Sequence, residues 1–123
     1  VLLCDANVER IIMGAGRRPL DIGRLAHDVP KPMRRAVVAR DCRCRFPGCG
    51  RRARWCDVHH VLAWIFGGHT KVGNLVLLCP YHHHLIHRWG WHTTFDGDTF
   101  TVTRDDGELV GSTRNARPAR AGP

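Results

Sequence analysis

Two short pairs of soft donor residues constrain this chain more than any other feature. Cys44 and Cys49 form a C-x4-C pair on a stretch that holds Pro47 and Gly48, and Cys79 and His82 form a C-x2-H pair further on. Two such pairs, about thirty residues apart, supply the four ligands of a closed tetrahedral Zn2+ site. The proline and glycine let the chain turn tightly enough to bring both sulfurs of the first pair round one ion. In a chain of 123 residues the apolar core is modest, so a structural metal is expected to contribute decisively to folding.

The remaining cysteines are Cys4, Cys42 and Cys56. Several of the six lie beside histidines, which argues for metal in a reducing compartment rather than a disulfide framework, and so for the cytoplasm. Cys4 and Cys56 read as buried free thiols. Cys42 competes with Cys44 for the first ligand position. The shorter loop from Cys44 matches common knuckle spacing, so Cys44 is preferred. Nothing reads as a signal peptide or spanning helix, since the apolar opening is short and carries Asp5, Glu9 and Arg10. The chain opens on Val1 rather than methionine, so a longer parent chain is expected.

Local patterns divide the chain into four parts. Residues 1–40 read as a helical and irregular N-terminal segment packed on a core at 41–92. A β-hairpin extension follows at 93–110, with a disordered, arginine-rich tail at 111–123. Within the first part, the glycine and proline content before residue 30 predicts turns. "DVPKPMRRAVVARD" then predicts a helix with Pro32 in its first turn. "LVLL" predicts a buried strand, and residues 80–89 a helix stopped by Gly90. Asp96-Gly97, flanked by threonines alternating with apolar residues, predicts a hairpin.

That second helix carries His82, His83, His84 and His87. At about 100° per residue, His82 falls with Leu85, Ile86 and Trp89 on the buried face. His83 and His87, four apart, share a neighbouring face and can hold one ion together. His84 and Arg88 share the face farthest from the core. Upstream, His59 and His60 lie in a β-prone stretch and point to opposite sides, so one can bind an ion while the other takes a proton from water. Three imidazoles on a divalent cation, with positions left open, make a catalytic site rather than a closed one.

The stretch "CRFPGC…CDVHHVLAWIFGGHTKVGNLVLLCPYHHHLIH" resembles the HNH endonucleases. It is most similar to the zinc-containing HNH domain of actinobacterial proteins that carry the domain of unknown function 222, the 13E12 repeat group. "PLDIGR…PKPMRRAVVARD" resembles the segment before the nuclease in that group. The resemblance implies an α+β chain with a small ββα-metal core and a structural zinc knuckle. By position, it implies His59 as the first ligand of the catalytic ion, His60 as the general base, and His83 and His87 as the further ligands. Asn74 would brace the loop between strand and helix and help to hold the base. His82 replaces the family's fourth cysteine, a change that tetrahedral zinc tolerates. His59 stands where relatives often have Asp, which makes the site all-imidazole. The candidate catalytic ions are Mg2+, Mn2+, Ni2+, Co2+ and Zn2+, with imidazole favouring the last four over Mg2+.

The expected activity is hydrolysis of DNA phosphodiester bonds with low sequence specificity. Charge supports the partner: the net +8 comes almost wholly from arginine, with Lys31 and Lys71 the only lysines, and arginine forks suit phosphate. Arg51, Arg52 and Arg54, just before the histidine strand, are the candidate DNA contacts, together with His84 and Arg88. Trp64 and Trp91 read as core rather than as base-stacking platforms. The alternative reading is a non-catalytic zinc-containing DNA-binding module, which leaves His59, His60, His83 and His87 without a task.

Overall fold

A computed structural model describes residues 12–13 and 19–116; the expectations for Cys4 and for residues 117–123 lie outside them. The described chain is a mixed α/β arrangement of two α-helices and three small antiparallel sheets. Its order is β1 (Ile12–Met13), β2 (Pro19–Gly23), α1 (Lys31–Asp41), β3 (Asp57–His60), β4 (Thr70–Lys71), β5 (Leu75–Leu78), α2 (Pro80–Trp89), β6 (His92–Phe95), β7 (Thr99–Thr103) and β8 (Leu109–Arg114).

The centre is β5. Its four residues are wholly buried, as an uninterrupted apolar run must be when both faces of a strand are covered. It pairs with β3 along its length, with His59 opposite Val76 and His60 opposite Leu75. Helix α1 packs on it through the fully buried Met33 and Val37, and α2 lies against both strands. The first helix begins at a proline-compatible turn and ends where Cys42 takes a left-handed conformation, φ 65°. The second starts with Pro80 at its first position and stops at Gly90, φ 66°. There the absence of a Cβ lets the chain leave the helix without strain.

Two regions differ from the sequence expectation. The turns predicted before residue 30 include β2, which pairs with β4 inside the glycine-rich loop that follows the histidine strand. A five-residue strand bounded by proline and glycine has no periodicity to reveal it. It lies between two partners, β1 just upstream and β4 nearly fifty residues away, with Asp21 opposite both Ile12 and Lys71. At the other end, β6 and β7 form the expected hairpin, but β8 adds a third strand and runs to Arg114. Ordered structure therefore continues into the stretch expected to begin a disordered tail.

The third sheet is not a loose appendage, because Arg45 ties it to the core. This arginine is 2% exposed, and all five of its N–H donors are used. Nε donates to Thr113 Oγ1, Nη1 to Asp41 and Asn115 Oδ1, and Nη2 to the carbonyls of Asp98 and Thr113. Asp41, 1% exposed, also accepts from the Arg40 guanidinium and from the Leu77 amide of β5. A buried charge pair adds little net stability when intact, but removing one partner strands the other. Asp41→Ala is therefore expected to lower unfolding free energy by about 3–5 kcal/mol, as measured by urea denaturation. A loss below about 1 kcal/mol, the worth of an exposed pair, would show that the network carries no such load.

Candidate metal centres

The first centre gathers Cys44, Cys49, Cys79 and His82, with one donor atom from each lying within 4.8 Å of the others. The knuckle supplies the first two: Cys49 N donates to Phe46 O at 3.0 Å, and Gly48 turns the chain at φ 83°. Cys79 caps the N-terminus of α2, and His82 stands in its first turn. His82 Nδ1 lies 3.3 Å from Cys79 Sγ and 3.8 Å from Cys44 Sγ. These spacings bracket the edge of about 3.6 Å that a tetrahedron built from ordinary zinc–sulfur and zinc–nitrogen bonds would have. Phe46 stacks flat on the His82 ring, 4.0 Å between centroids, and so sets its orientation.

The chemistry of the donors also fits a cation. Burial pushes the Cys44 thiol far above its ordinary range. Yet the amides of Cys79 and Phe46 both point at its sulfur, at 3.3 and 3.5 Å, as they would at a thiolate. A metal ion reconciles the two, since a coordinating thiol is deprotonated outright. Cys42 stays apart, its sulfur facing Ala39 O at 3.8 Å, so the shorter of the two expected spacings is the one that converges. Cys56 is buried, its thiol pushed up to about 11 chiefly by burial, with its sulfur toward the Arg52 carbonyl at 3.4 Å.

The second centre joins β3 to α2. His59, His83 and His87 again place one donor atom each within 4.8 Å of the others. Their ring centroids are 4.8 Å apart for His59–His83, 5.0 Å for His83–His87 and 5.7 Å for His59–His87. Burial, then the neighbouring His83 and His87, lower His59 to about 3. Burial, then the neighbouring His87, lower His83 against the opposing charge of Asp57. Both are therefore neutral imidazoles at physiological pH, the form that binds metal. His87 is exposed, which leaves the outer side of the trio open. Both groups are compatible with a bound metal ion, one enclosed and one accessible.

The helical angles separate the α2 histidines as expected. His82 turns to the first centre, His83 and His87 to the second, and His84 with Arg88 to solvent. The exception is Trp89, expected on the buried face but 56% exposed. Angle fixes a side chain's direction, not whether another element lies beneath it, and Ile86 is the last residue of α2 to reach the core. Arg51, Arg52 and Arg54 are exposed, but none of them lines the cleft at the three histidines. Arg51 is near enough to the first centre to help lower His82, after burial. Arg52 and Arg54 line a separate depression with Arg43.

His60 leaves β3 on the other side, yet it lines the same cleft as the trio, a space of about 330 Å³. Its ring stacks on His27, 5.0 Å between centroids at 25°, and its Nε2 lies 2.9 Å from Thr70 Oγ1. Burial, then the charges of His27 and Arg24, hold it below the ordinary histidine range. Asn74 anchors the chain directly after this histidine, its carbonyl accepting from Val61 N at 2.8 Å. Its side chain braces the loop, accepting from Leu62 N and donating to the carbonyls of Leu62 and His69, while the hydrogen-bond partner of His60 Nε2 is Thr70 Oγ1.

The loop itself is rigidly built. Arg24 Nη1 donates to the carbonyls of Trp64 and Gly68 at 2.7 and 2.9 Å, and its guanidinium covers the Trp64 ring. A Cβ on Gly68 would sit 1.8 Å from Leu62 O, so only glycine closes the turn. Trp64, expected in the core, is half-buried at the cleft beneath Arg24 and edge-on to His27. Trp91, also expected there, packs half-buried on the core near Phe46. Arg24, His27 and Thr70 escaped sequence reasoning because Arg24 and His27 act on residues more than thirty positions away and Thr70 is placed by a bond to Ala26, 44 positions away, none of which leaves a local pattern.

Curated proteins similar to this chain come from mycobacteria. The uncharacterized protein Rv3776 of Mycobacterium tuberculosis is 39% identical over 102 residues, covering 72% of this chain and 20% of the relative. The uncharacterized protein Rv2100 of the same organism is 39% identical over 77 residues, 61% of this chain and 14% of that protein. The uncharacterized protein Rv1128c, again of the same organism, is 40% identical over 65 residues, 51% of this chain and 14% of its own length. The chain thus spans about a fifth or less of these relatives. No family model and no solved structure matches it.

Proposed function

We propose that this chain is an HNH-type endonuclease domain, in which β3, β5 and α2 form a ββα-metal core that hydrolyses DNA phosphodiester bonds with low sequence specificity. One observation carries the reading. Adjacent residues of one strand send His59 into a trio of imidazoles and His60 away from it, yet both open on the same cleft. A binding module needs the Cys44–Cys49–Cys79–His82 centre but has no use for that division.

In this reading Zn2+ occupies the enclosed centre and fastens the knuckle to the β5–α2 junction. His59, His83 and His87 hold the second ion, which when bound supplies Lewis acidity toward a phosphoryl oxygen. The all-imidazole set favours Mn2+, Co2+, Ni2+ or Zn2+ over Mg2+. His60, kept neutral at physiological pH by its burial and by the cations near it, accepts the proton of the attacking water. Exposed arginines, Arg51, Arg52, Arg54 and Arg88 among them, contact the phosphate backbone away from the cleft, so binding weakens steeply with salt. Among the described residues no helix is long and apolar enough to cross a membrane, and reduced thiols at the enclosed centre suit a cytoplasmic setting.

The test is incubation of the purified domain with supercoiled plasmid and a panel of divalent metals, with and without EDTA. Nicking by at least one metal, abolished by EDTA, is the expected result. Failure of every metal to support nicking overturns the proposal.

A further inference from the structure

We propose that Thr70 is a positioning residue that fixes His60 as its Nε2–H tautomer and leaves the lone pair of Nδ1 for the cleft. The inference rests on the assignment of His60 as base, and it goes beyond that assignment by naming what makes this imidazole ready to accept a proton.

The argument is a count of hydrogens. A threonine hydroxyl has one proton to donate and two lone pairs that accept. Thr70 is fully buried, and its Oγ1 lies 2.8 Å from the carbonyl oxygen of Ala26, with the His27 carbonyl at 3.5 Å. Carbonyl oxygens only accept, so the hydroxyl proton is committed to the 26–27 segment. Toward His60 Nε2, 2.9 Å away, the same oxygen can then only accept, and Nε2 must carry the hydrogen. A neutral imidazole bears one N–H, so Nδ1 is the basic nitrogen. The stack on His27 restrains the ring from turning out of this arrangement. β4 and the segment before α1, both outside the β3–β5–α2 unit, thereby set the protonation pattern of a residue within it.

Thr70→Val keeps the size of the side chain and deletes the hydroxyl. Nε2 then faces a methyl group, where a buried N–H without an acceptor is costly, and the proton is expected to redistribute to Nδ1. The direct readout is the pair of imidazole 15N shifts of His60, recorded by NMR on the zinc-loaded protein. The wild type is expected to show Nε2–H with a bare Nδ1, Thr70→Val a shift toward Nδ1–H, and Thr70→Ser a return to the wild-type pattern. In plasmid cleavage, Thr70→Val is expected to lower kcat by about 10²- to 10⁴-fold, the cost of losing a general base or its correct tautomer. KM should change little, and Thr70→Ser should restore most of the rate. A wild-type spectrum with Nδ1–H overturns the proposal without any variant. So does a Thr70→Val protein with an unaltered spectrum or with wild-type cleavage. If the spectra behave as expected while the wild type cleaves nothing, the positioning role stands and the nuclease reading fails.

Discussion

Cys79→Ala is expected to leave the protein largely unfolded at 25 °C, and chelation of the wild type to do the same. Cys79 is 0% exposed and caps α2 directly after the wholly buried β5, so its sulfur sits where the knuckle, the central strand and the histidine helix meet. Structural Zn2+ sites of this donor type contribute apparent free energies of about 10–16 kcal/mol, against a net stability of about 5–15 kcal/mol for a typical domain. Losing one ligand also leaves Cys44 with two amides aimed at a buried sulfur that has no cation to hold its charge. Circular dichroism with parallel metal analysis checks the prediction: one zinc fewer per chain and no cooperative melting transition. A variant that melts within a few degrees of wild type would make the enclosed centre an ornament of the fold. Protons compete with metal for the same sulfurs and nitrogen, so metal retention should weaken as pH falls.

His60→Ala is the second large effect, and its signature is the opposite one: an intact protein that no longer cuts. Under the proposed reading, cleavage should fall by about 10²–10⁴-fold, the range general-base catalysis supplies. The metal content of both centres and DNA affinity should be retained, because His60 belongs to neither ligand set. His83→Ala provides the contrast, since it removes a ligand and should lower metal content at the open centre together with activity. A His60→Ala protein that nicks plasmid at the wild-type rate removes His60 from the mechanism, whatever the fate of the rest of the proposal.

The parts legible from sequence were those written in short-range spacing. Pro80, Gly90 and the 100° rule were enough to bound α2 and to assign His82, His83, His84 and His87 to three directions, all of which the structure keeps. The C-x4-C and C-x2-H spacings likewise picked out the residues that converge. What stayed hidden depends on which distant segments meet. Arg24 reaches Gly68 across 44 positions, and Thr70 reaches Ala26 across the same separation, so neither contact leaves a trace in any local window. Trp64 and Trp89 were misjudged for a related reason, as apolar character says that a residue can be buried but not that a neighbour arrives to cover it. The brace that Asn74 supplies to the loop was foreseen, whereas Thr70 as the hydrogen-bond partner of His60 was not.

The Arg45 network also sets an order of events during biosynthesis. Its partners Thr113 and Asn115 lie 68 and 70 positions downstream, which at about 5–20 residues per second is roughly 3–14 s of translation. All four donors of the enclosed centre are complete by His82, well before those partners are made. Under the proposed reading the nascent chain can therefore capture its metal while Arg45 and Asp41 are still hydrated, when holding two charges costs little. Arrival of Thr113 and Asn115 is then the event that dehydrates the pair, so the third sheet docks after the donors of the enclosed centre are already in place.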